Sequence, residues 1–333
     1  MKLDFMSPRL AGKLADASLR MGIEEQLVSL GERGIDVLAP GDARYPKLIR
    51  EIGDPPPVLF SRGAAPLKCT DRPIAVVGAR RPTAYGLAMT RRLVSGLAGY
   101  GFTIVSGLAA GIDAAAHRAA IEMGAKTVAF LGCGVERSYP LSNHRLMEEI
   151  ILKGAVYSEY LPEALPFQQN FPQRNRLISG ASLGVVVVEA GERSGSLITA
   201  GFAGEQGRDV FAVPGNATSP LSKGANALLR DGAIFATSAE DIVFALNGYM
   251  EAGEGAALAS VAGAPPGASW AMGTLGAAEL SVASLLKERG PQDIDAIAEQ
   301  CRMTAGEAGA LAILLEIKGL LRRMEDGMYE FVD

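Results

Sequence analysis

The chain has 333 residues, of which 48% are hydrophobic and 21% are charged, so it can form two or three domains with a full core. This composition excludes a chain that is disordered throughout. The net charge of −5 excludes a strongly basic surface as the means of attracting a polyanion.

Targeting and redox features are sparse. The sequence has no apolar run of about 18 residues, and residues 1–20 mix charged and apolar side chains rather than forming a signal-peptide core. Its cysteines, Cys69, Cys133 and Cys301, lie too far apart for a disulfide framework or a zinc knuckle. We expect a cytoplasmic protein with buried thiols, no metal, no cofactor and no membrane partner.

The acidic charge is not evenly distributed. Residues 1–70 carry ten basic and nine acidic side chains, and residues 71–240 carry sixteen and fourteen. Residues 241–333 carry six basic and fourteen acidic side chains, a net charge of −8. An anion site in the central segment must therefore be built from locally placed arginines and backbone amides, because the overall field is weak.

The N-terminal part reads as a small appendage. Residues 8–52 are predicted to form short helices and a connector, which the turn-forming sequence Asp-Pro-Pro-Pro follows at residues 54–57. We therefore assign residues 1–55 to an N-terminal helical appendage and residues 56–247 to the main domain.

The main domain repeats a short apolar run, a Gly-rich turn and an Ala- and Leu-rich helical stretch, which is the pattern of βαβ units. Most runs are continuously apolar, as in strands covered on both faces. The pattern predicts an α/β fold with a Rossmann-like, doubly wound, mostly parallel sheet. The predicted strands are residues 74–77, 102–105, 127–131, 155–158, 184–189, 209–213 and 233–236.

The C-terminal part reads as a separate module. Residues 248–276 are rich in Gly, Ala, Ser and Pro and are predicted to be a flexible linker. Helices at 277–289, at 294–301 and from about 304 to 318 precede two strands around an Asp-Gly turn, which is the order of a winged helix at 277–333. The third helix begins without Arg or Lys, so we do not expect this module to bind DNA by itself.

Five loops of the main domain carry arginines, small residues or rings; four follow strands, and the fifth, at residues 170–180, precedes one. The carboxyl ends of parallel strands meet at one edge, so these loops are expected to form one anion site there. Asp113 is predicted to cap the second helix, and His117 to pack in the core. The predicted site residues are Arg80, Arg81, Tyr85, Ser106, Gly107, Gly111, Arg137, Asn143, Arg145, Phe171, Arg174, Asn175, Arg176, Arg193, Ser194, Gly195, Ser196 and Thr199.

The sequence gives little basis for catalysis. The first turn lacks the dinucleotide motif G-x-G-x-x-G, and Ser106 stands where that motif requires an acid. There is no G-x-x-x-x-G-K-[ST] loop, and Glu136, Glu159 and Glu189 lie on different loops. We therefore predict a binding protein and not an enzyme.

Several motifs resemble the DNA-processing protein A (DprA/Smf) family. They are VVGARRPTAYG at 76–86, SGLAAGIDAAAH at 106–117, FPQRNRLISG at 171–180 and EAGERSGSLITA at 189–200. The resemblance implies binding of single-stranded DNA at the strand ends, protection of incoming DNA, loading of the RecA recombinase in natural transformation, and a homodimer. It assigns a DNA contact to Arg80. Family members often carry a lysine at the position of Leu141. The resemblance implies that Arg137 or Arg145 supplies the missing positive charge.

Two other classes stay open. Rossmann-like phosphoribohydrolases also place a Gly-rich turn and an acid after a strand, and in that class Glu189 and Arg193 would be catalytic. A protein-interaction adaptor would use the acidic winged helix as its docking surface. The same acidic module could also cover the arginines and inhibit DNA binding.

Overall fold

The computed structural model describes residues 17–250 and 277–331, with gaps at 302, 305, 307, 310, 313–314, 316–319 and 325–327. Residues 251–276, most of the predicted linker, lie outside the described residues, as do residues 1–16. The chain divides into two compact units, Met1–Gly253 and Glu254–Asp333, which are described separately.

The described strands of the first unit form one nine-stranded sheet in the order β1-β2-β6-β5-β4-β3-β7-β8-β9. From β6 to β9 all neighbours are parallel, whereas β1, β2 and β6 pair antiparallel. The predicted Rossmann-like fold is thus confirmed. The strands are β1 (Asp36–Leu38), β2 (Leu59–Arg62), β3 (Arg72–Val77), β4 (Phe102–Ser106), β5 (Thr127–Phe130), β6 (Ala155–Ser158), β7 (Gly184–Val187), β8 (Asp209–Ala212) and β9 (Ile234–Phe235).

Helices cover both faces of this sheet. Side chains alternate along β3, so that Ile74 and Val76 join one core cluster while Ala75 and Val77 join the other. This double burial explains why the central strands are continuously apolar. The helices are α1 (Ala17–Glu32), α2 (Lys47–Arg50), α3 (Ala84–Gly99), α4 (Ile112–Glu122), α5 (His144–Lys153), α6 (Asn170–Gly180), α7 (Gly195–Glu205), α8 (Lys223–Arg230) and α9 (Ala239–Met250), with a 3-10 turn at Leu141–Asn143.

The segment 1–55 contains a strand in addition to the predicted short helices and connector. Strand β1 lies within this segment and pairs with β2, which in turn pairs with β6 at the edge of the sheet. The segment therefore extends the main sheet by one strand. A strand of three residues has too few positions for a recognisable alternation, and its partner lies more than twenty residues away, with Leu38 opposite Leu59.

The second unit has the predicted order of a winged helix. Helices α10 (Ala277–Arg289) and α11 (Ile294–Cys301) precede a stretch that is helical at the described positions between 306 and 315. Strands β10 (Leu321–Arg323) and β11 (Tyr329–Phe331) pair antiparallel, and Gln292 bridges to Tyr329. Their predicted Asp-Gly turn lies outside the described residues.

Two further expectations concern the cysteines and the membrane. Cys133 is buried as predicted, but Cys69 is exposed and Cys301 is half-buried, so the expectation of three buried thiols was wrong. Cys69 lies in the turn before β3, outside the core. Among the described residues, no helix is long and apolar enough to cross a membrane.

His117 is a buried structural residue, as expected. The hydroxyl of Thr127 donates to the carbonyl of Ile104 at 2.9 Å, so the His117 ring donates from Nδ1 to that hydroxyl over 2.7 Å. Nε2 is buried and has no hydrogen-bond partner among the described residues. Burial, aided by the charges of Arg174 and Arg118, lowers the pKa of His117 to about 3.

This burial predicts a specific loss of stability in acid. Below the ordinary histidine pKa of about 6.5, His117 is protonated in the unfolded chain but stays neutral in the folded chain. The free energy of unfolding therefore falls as the pH decreases from about 6.5 toward 3. The slope approaches about 1.4 kcal/mol per pH unit. In urea unfolding at several pH values, His117→Gln should start from lower stability and lose less of it in acid. Parallel pH profiles for the two proteins would contradict this account.

Candidate nucleic-acid interface

A groove opens where the direction of strand order reverses. Strand β3 has β4 on one side and β7 on the other, and chain order runs outward from this point in both directions. The loops after β3 and β7, together with α6, line a groove of about 800 Å³ at the carboxyl ends of the strands. Ligands of open parallel sheets bind at such a switch point, because the diverging loops leave a crevice.

The groove contains ten of the eighteen predicted site residues. It also contains residues that the prediction missed, notably Tyr139 and Gln168. Tyr139 could have been identified as an aromatic residue two positions after Arg137 in a strand-end loop. The predicted residues that line the groove are Arg80, Arg81, Phe171, Arg174, Asn175, Arg193, Ser194, Gly195, Ser196 and Thr199.

Three exposed arginines supply positive charge to the groove. Arg80 and Arg81 follow β3, and Arg193 follows β7. Within the described part of the chain, none of the three has a hydrogen bond or an ion pair. Guanidinium groups without hydrogen-bond or ion-pair partners keep all their N–H donors for a ligand, and their planar shape suits phosphate oxygens.

Aromatic rings lie beside these cations. The rings of Tyr139 and Phe171 are tilted at 44°, with centroids 5.0 Å apart. The guanidinium carbon of Arg80 lies 6.0 Å from the Phe171 centroid, and that of Arg174 lies 5.8 Å from it. The groove thus offers cations for anionic groups and ring faces for planar apolar groups.

Arg174 is turned into the protein, so the expectation that it contacts DNA needs revision. It is buried, and its Nη1 donates to the carbonyl of Gly107 at 2.8 Å and to that of Phe130. Nε donates to the side chain of Asn175 at 3.3 Å. Burial lowers the pKa of Arg174 to about 10, so the side chain stays charged at neutral pH. Its role here is to fix the loops after β4 and β5.

The loop after β4 is fixed from three sides. The carboxylate of Asp113 accepts from the amides of Gly107 and Ala109, rather than capping its helix, whose N-cap is Gly111. Burial raises the pKa of Asp113, while the charge of Arg174 opposes that rise. The side-chain amide of Asn143 donates to the backbone carbonyls of Leu108 and Ala109 at 3.0 and 3.2 Å.

Two predicted contacts in this loop are therefore structural. Gly111 adopts a φ of +85°, and a Cβ there would collide with the backbone of Ala79 and Arg80. Ser106 is buried and donates its hydroxyl to the carbonyl of Val76 at 2.7 Å. Together with Gly107 and Asn143, these residues shape the groove without lining it.

The amino-terminal end of α3 is occupied by an internal anion. Glu189 is buried at the end of β7, and its carboxylate accepts from the amide and the hydroxyl of Thr83 at 2.8 and 2.5 Å. Thr83 is the N-cap of α3 and accepts from the amide of Gly86. A Cβ at Gly86 would collide with the Glu189 carboxylate. This carboxylate therefore takes the place expected for an external anion.

The remaining predicted arginines lie outside the groove. Arg176 is held by Asp54 at 2.6 Å and by Glu159 at 2.8 Å, so its charge is neutralised within the protein. Arg137 donates to the carbonyl of Glu163 at 3.4 Å, and neither Arg137 nor Arg145 lines the groove. Leu141 does not line the groove either, so the substitution of the family's lysine by Arg137 or Arg145 stays a prediction.

The amino-terminal end of α7 does face the groove. Ser194 is its N-cap and accepts from the amide of Ser196, and Asn175 on α6 donates to the carbonyl of Gly195 at 3.2 Å. These contacts join α6 to the loop after β7 and keep small residues at the rim. Among the described residues, no group of His, Cys, Asp or Glu could hold a metal ion.

The chain matches known sequence families over most of its length. The family described as DNA recombination-mediator protein A matches residues 36–247, and the DprA winged helix domain matches residues 266–327. The DNA processing protein DprA of Bacillus subtilis is 43% identical over 216 residues, which are 65% of this chain and 73% of that protein. Protein Smf of Escherichia coli is 42% identical over 226 residues, which are 67% and 60% of the two chains.

Solved structures lead to the same family. DNA processing protein A of Streptococcus pneumoniae superposes with a TM-score of 0.60 at 38% identity, covering 69% of this chain and 82% of that one. The Helicobacter pylori protein, described for its single-stranded DNA binding mode, superposes with a TM-score of 0.56 at 30% identity, covering 66% and 96%. The chain belongs to the DNA recombination-mediator protein A family, and its second unit is a DprA winged helix domain.

Proposed function

We propose that this chain binds single-stranded DNA in the groove at the switch point. The observation that carries the proposal is that Arg80, Arg81 and Arg193 are exposed there without hydrogen-bond or ion-pair partners in the described structure, in a groove that also holds the rings of Tyr139 and Phe171. The Helicobacter pylori relative, which is described as binding single-stranded DNA, supports it.

The arrangement suits binding with little sequence preference. Arginines hold phosphates, which are the same in every nucleotide, while rings stack on bases through the π-face that every base has. The ring of Phe171 is large enough to stack on one base, and Asn175 is its polar neighbour in the groove. A duplex would keep its bases stacked inside the helix, so it should bind more weakly than a single strand.

The groove arginines should dominate the salt dependence of binding. Each neutralised phosphate of a single strand contributes about −0.7 to the slope of log K against log salt, so three contacts give a slope of about −2. Removing one contact by Arg80→Ala, Arg81→Ala or Arg193→Ala should weaken binding by about tenfold at low salt and make the slope shallower by about 0.7. Fluorescence anisotropy of a labelled oligo-dT strand measures both quantities.

Arg118→Ala is the matched control for these variants. Arg118 is an exposed arginine on α4 that does not line the groove. Its removal changes the net charge by the same amount, so an equal loss of affinity would mean that only the overall charge matters. A slope near zero for the unmodified protein would exclude phosphate contacts altogether.

We further propose that binding protects incoming DNA and loads RecA during natural transformation, in the cytoplasm and without turnover of a substrate. The family membership and the absence of an assembled catalytic set in the sequence support this view. Faster RecA assembly on strands covered by single-strand-binding protein is the expected effect. The same rate with and without the chain would count against loading.

A phosphoribohydrolase would need Glu189 as a reactive acid. In this chain Glu189 is buried and its two oxygens accept from Thr83, so its contacts are those of a structural cap. Arg193 is exposed at the groove, where it can serve DNA instead. Incubation with nucleoside monophosphates should release no free base, and release above background would favour the enzyme.

We also propose a homodimer that uses the β9 edge of the sheet. Phe244 on α9 is 84% exposed and Phe235 on β9 is 55% exposed, although both are large apolar side chains. The outer edge of β9 has no partner strand among the described residues. Such edges and patches are commonly covered by another chain.

The proposed dimer predicts that charge at this face separates the protomers. Phe244→Glu should convert the dimer to a monomer in light scattering, because an ionised carboxylate is costly to bury in an apolar interface. Leu152→Glu is the control, since Leu152 is a highly exposed apolar residue on α5. If Phe244→Glu and the unmodified protein have the same mass, the interface lies elsewhere.

A further inference from the structure

A second, smaller cavity lies beside the groove and is not part of it. It has a volume of about 470 Å³, and its lining includes Tyr85, Glu189, Pro214, Ser219 and Ser222. None of these residues lines the groove. Tyr85, a predicted DNA-binding residue that lies outside the groove, is therefore part of a separate site.

The two cavities share the loops that form the switch point. After β3, Arg80 and Arg81 line the groove, while Thr83 lines the second cavity two residues further on. After β7, Glu189 lines the second cavity and Gly191 lines the groove. The two cavities therefore adjoin along the loops after β3 and β7.

The ring of Tyr85 is fixed in place but remains accessible. Its hydroxyl donates to the carbonyl of Pro214 at 2.8 Å, which ties the α3 end to the loop after β8. The residue is nevertheless 45% exposed. An aromatic ring that is held at one end and open to solvent is a preformed stacking surface, because little conformational entropy is lost when a planar group packs on it.

The charge of the cavity determines which part of a nucleotide it can accept. Glu189 brings a carboxylate, and Ser219 and Ser222 bring hydroxyls, whereas the lining contains no Lys or Arg. A carboxylate repels a phosphate, but it accepts hydrogen bonds from N–H groups. Two of its roughly four lone-pair positions are used by Thr83, so acceptor capacity remains. The chemistry therefore favours a nucleobase over a phosphate.

We propose that this cavity binds one nucleobase of the DNA strand held in the groove, stacked on Tyr85, with preference for a base that carries an exocyclic amino group. The inference rests on the proposed DNA binding. It adds a subsite in which a base, and not the backbone, is recognised. Thymine lacks the amino group and should be the least favoured occupant.

The test compares strands of two lengths that contain 2-aminopurine, a fluorescent base with an exocyclic amino group that is quenched on stacking. A strand of about two nucleotides is short enough to occupy the groove alone, whereas one of about six can also reach the second cavity, because the two cavities share the loops after β3 and β7. Ser219→Leu fills the cavity with apolar volume and leaves the groove arginines in place. Ser219→Leu should weaken binding of the long strand by about tenfold and leave binding of the short strand unchanged. It should also remove the quenching of 2-aminopurine in the long strand.

Variants of Tyr85 separate the ring from its hydroxyl. Tyr85→Ala should behave like Ser219→Leu, whereas Tyr85→Phe keeps the stacking surface and should retain most of the quenching. The salt slope should stay the same in all three variants, because no phosphate contact is lost. This result distinguishes the second cavity from the groove arginines, whose removal changes the slope.

Three outcomes would overturn the inference. If the unmodified protein binds both strands but Ser219→Leu changes neither affinity nor quenching, the cavity takes no base while the proposed function stands. If free 2-aminopurine deoxynucleoside saturates the protein and only that binding is lost in Ser219→Leu, the occupant is a free nucleoside. If the unmodified protein binds no strand, the proposed function fails and this inference fails with it.

Discussion

The buried guanidinium group of Arg174 is the interaction on which the groove depends. It lies on α6 and donates to the carbonyl of Gly107 after β4 and to that of Phe130 at the end of β5. Loop carbonyls at the end of a sheet have no strand partner, and leaving them unpaired in a buried place costs free energy. One cation thus satisfies two such groups and joins three elements that end at the groove.

Nearby anions complete this arrangement. Asp113 accepts from the amides of the β4 loop, and Glu189 accepts from Thr83 at the start of α3. Both carboxylates are buried and accept hydrogen bonds from loop amides or from the helix N-cap, and of the two only Asp113 lines the groove. The exposed arginines of the groove are then left without internal partners in the described structure. A chain with a net charge of −5 can therefore present a local cationic site.

The same device divides the sheet edge into two environments. The β3 and β7 loops contribute exposed guanidinium groups to the groove, which also holds aromatic rings, and they contribute to a smaller cavity lined by a carboxylate and hydroxyls. The positive charge of the groove favours a phosphate, and the carboxylate of the cavity favours a base that can donate hydrogen bonds. In the proposed binding mode, the groove takes backbone phosphates and the smaller cavity takes a base.

Much of the architecture is determined by the sequence itself. Continuous apolar runs predict buried parallel strands, and the loops after them carry Arg80, Arg81 and Arg193, because strand ends necessarily gather at one edge of such a sheet. The order of helices and strands after residue 277 likewise specifies the winged helix. These features follow from local patterns and from the few ways in which βαβ units can connect.

Only the tertiary structure decides which polar residues face the ligand. Arg174 and Arg176 stand two residues apart in one motif, and from the sequence both could contact a phosphate as Arg80 could. In the structure, Arg174 is buried and donates to loop carbonyls, and Arg176 is neutralised by Asp54 and Glu159. Their partners are distant in sequence, so no local pattern reveals them. The short strand β1 and the separate cavity at Tyr85 depend on the same kind of long-range contact. The sequence determines which groups are near the edge, and packing determines which of them remain free.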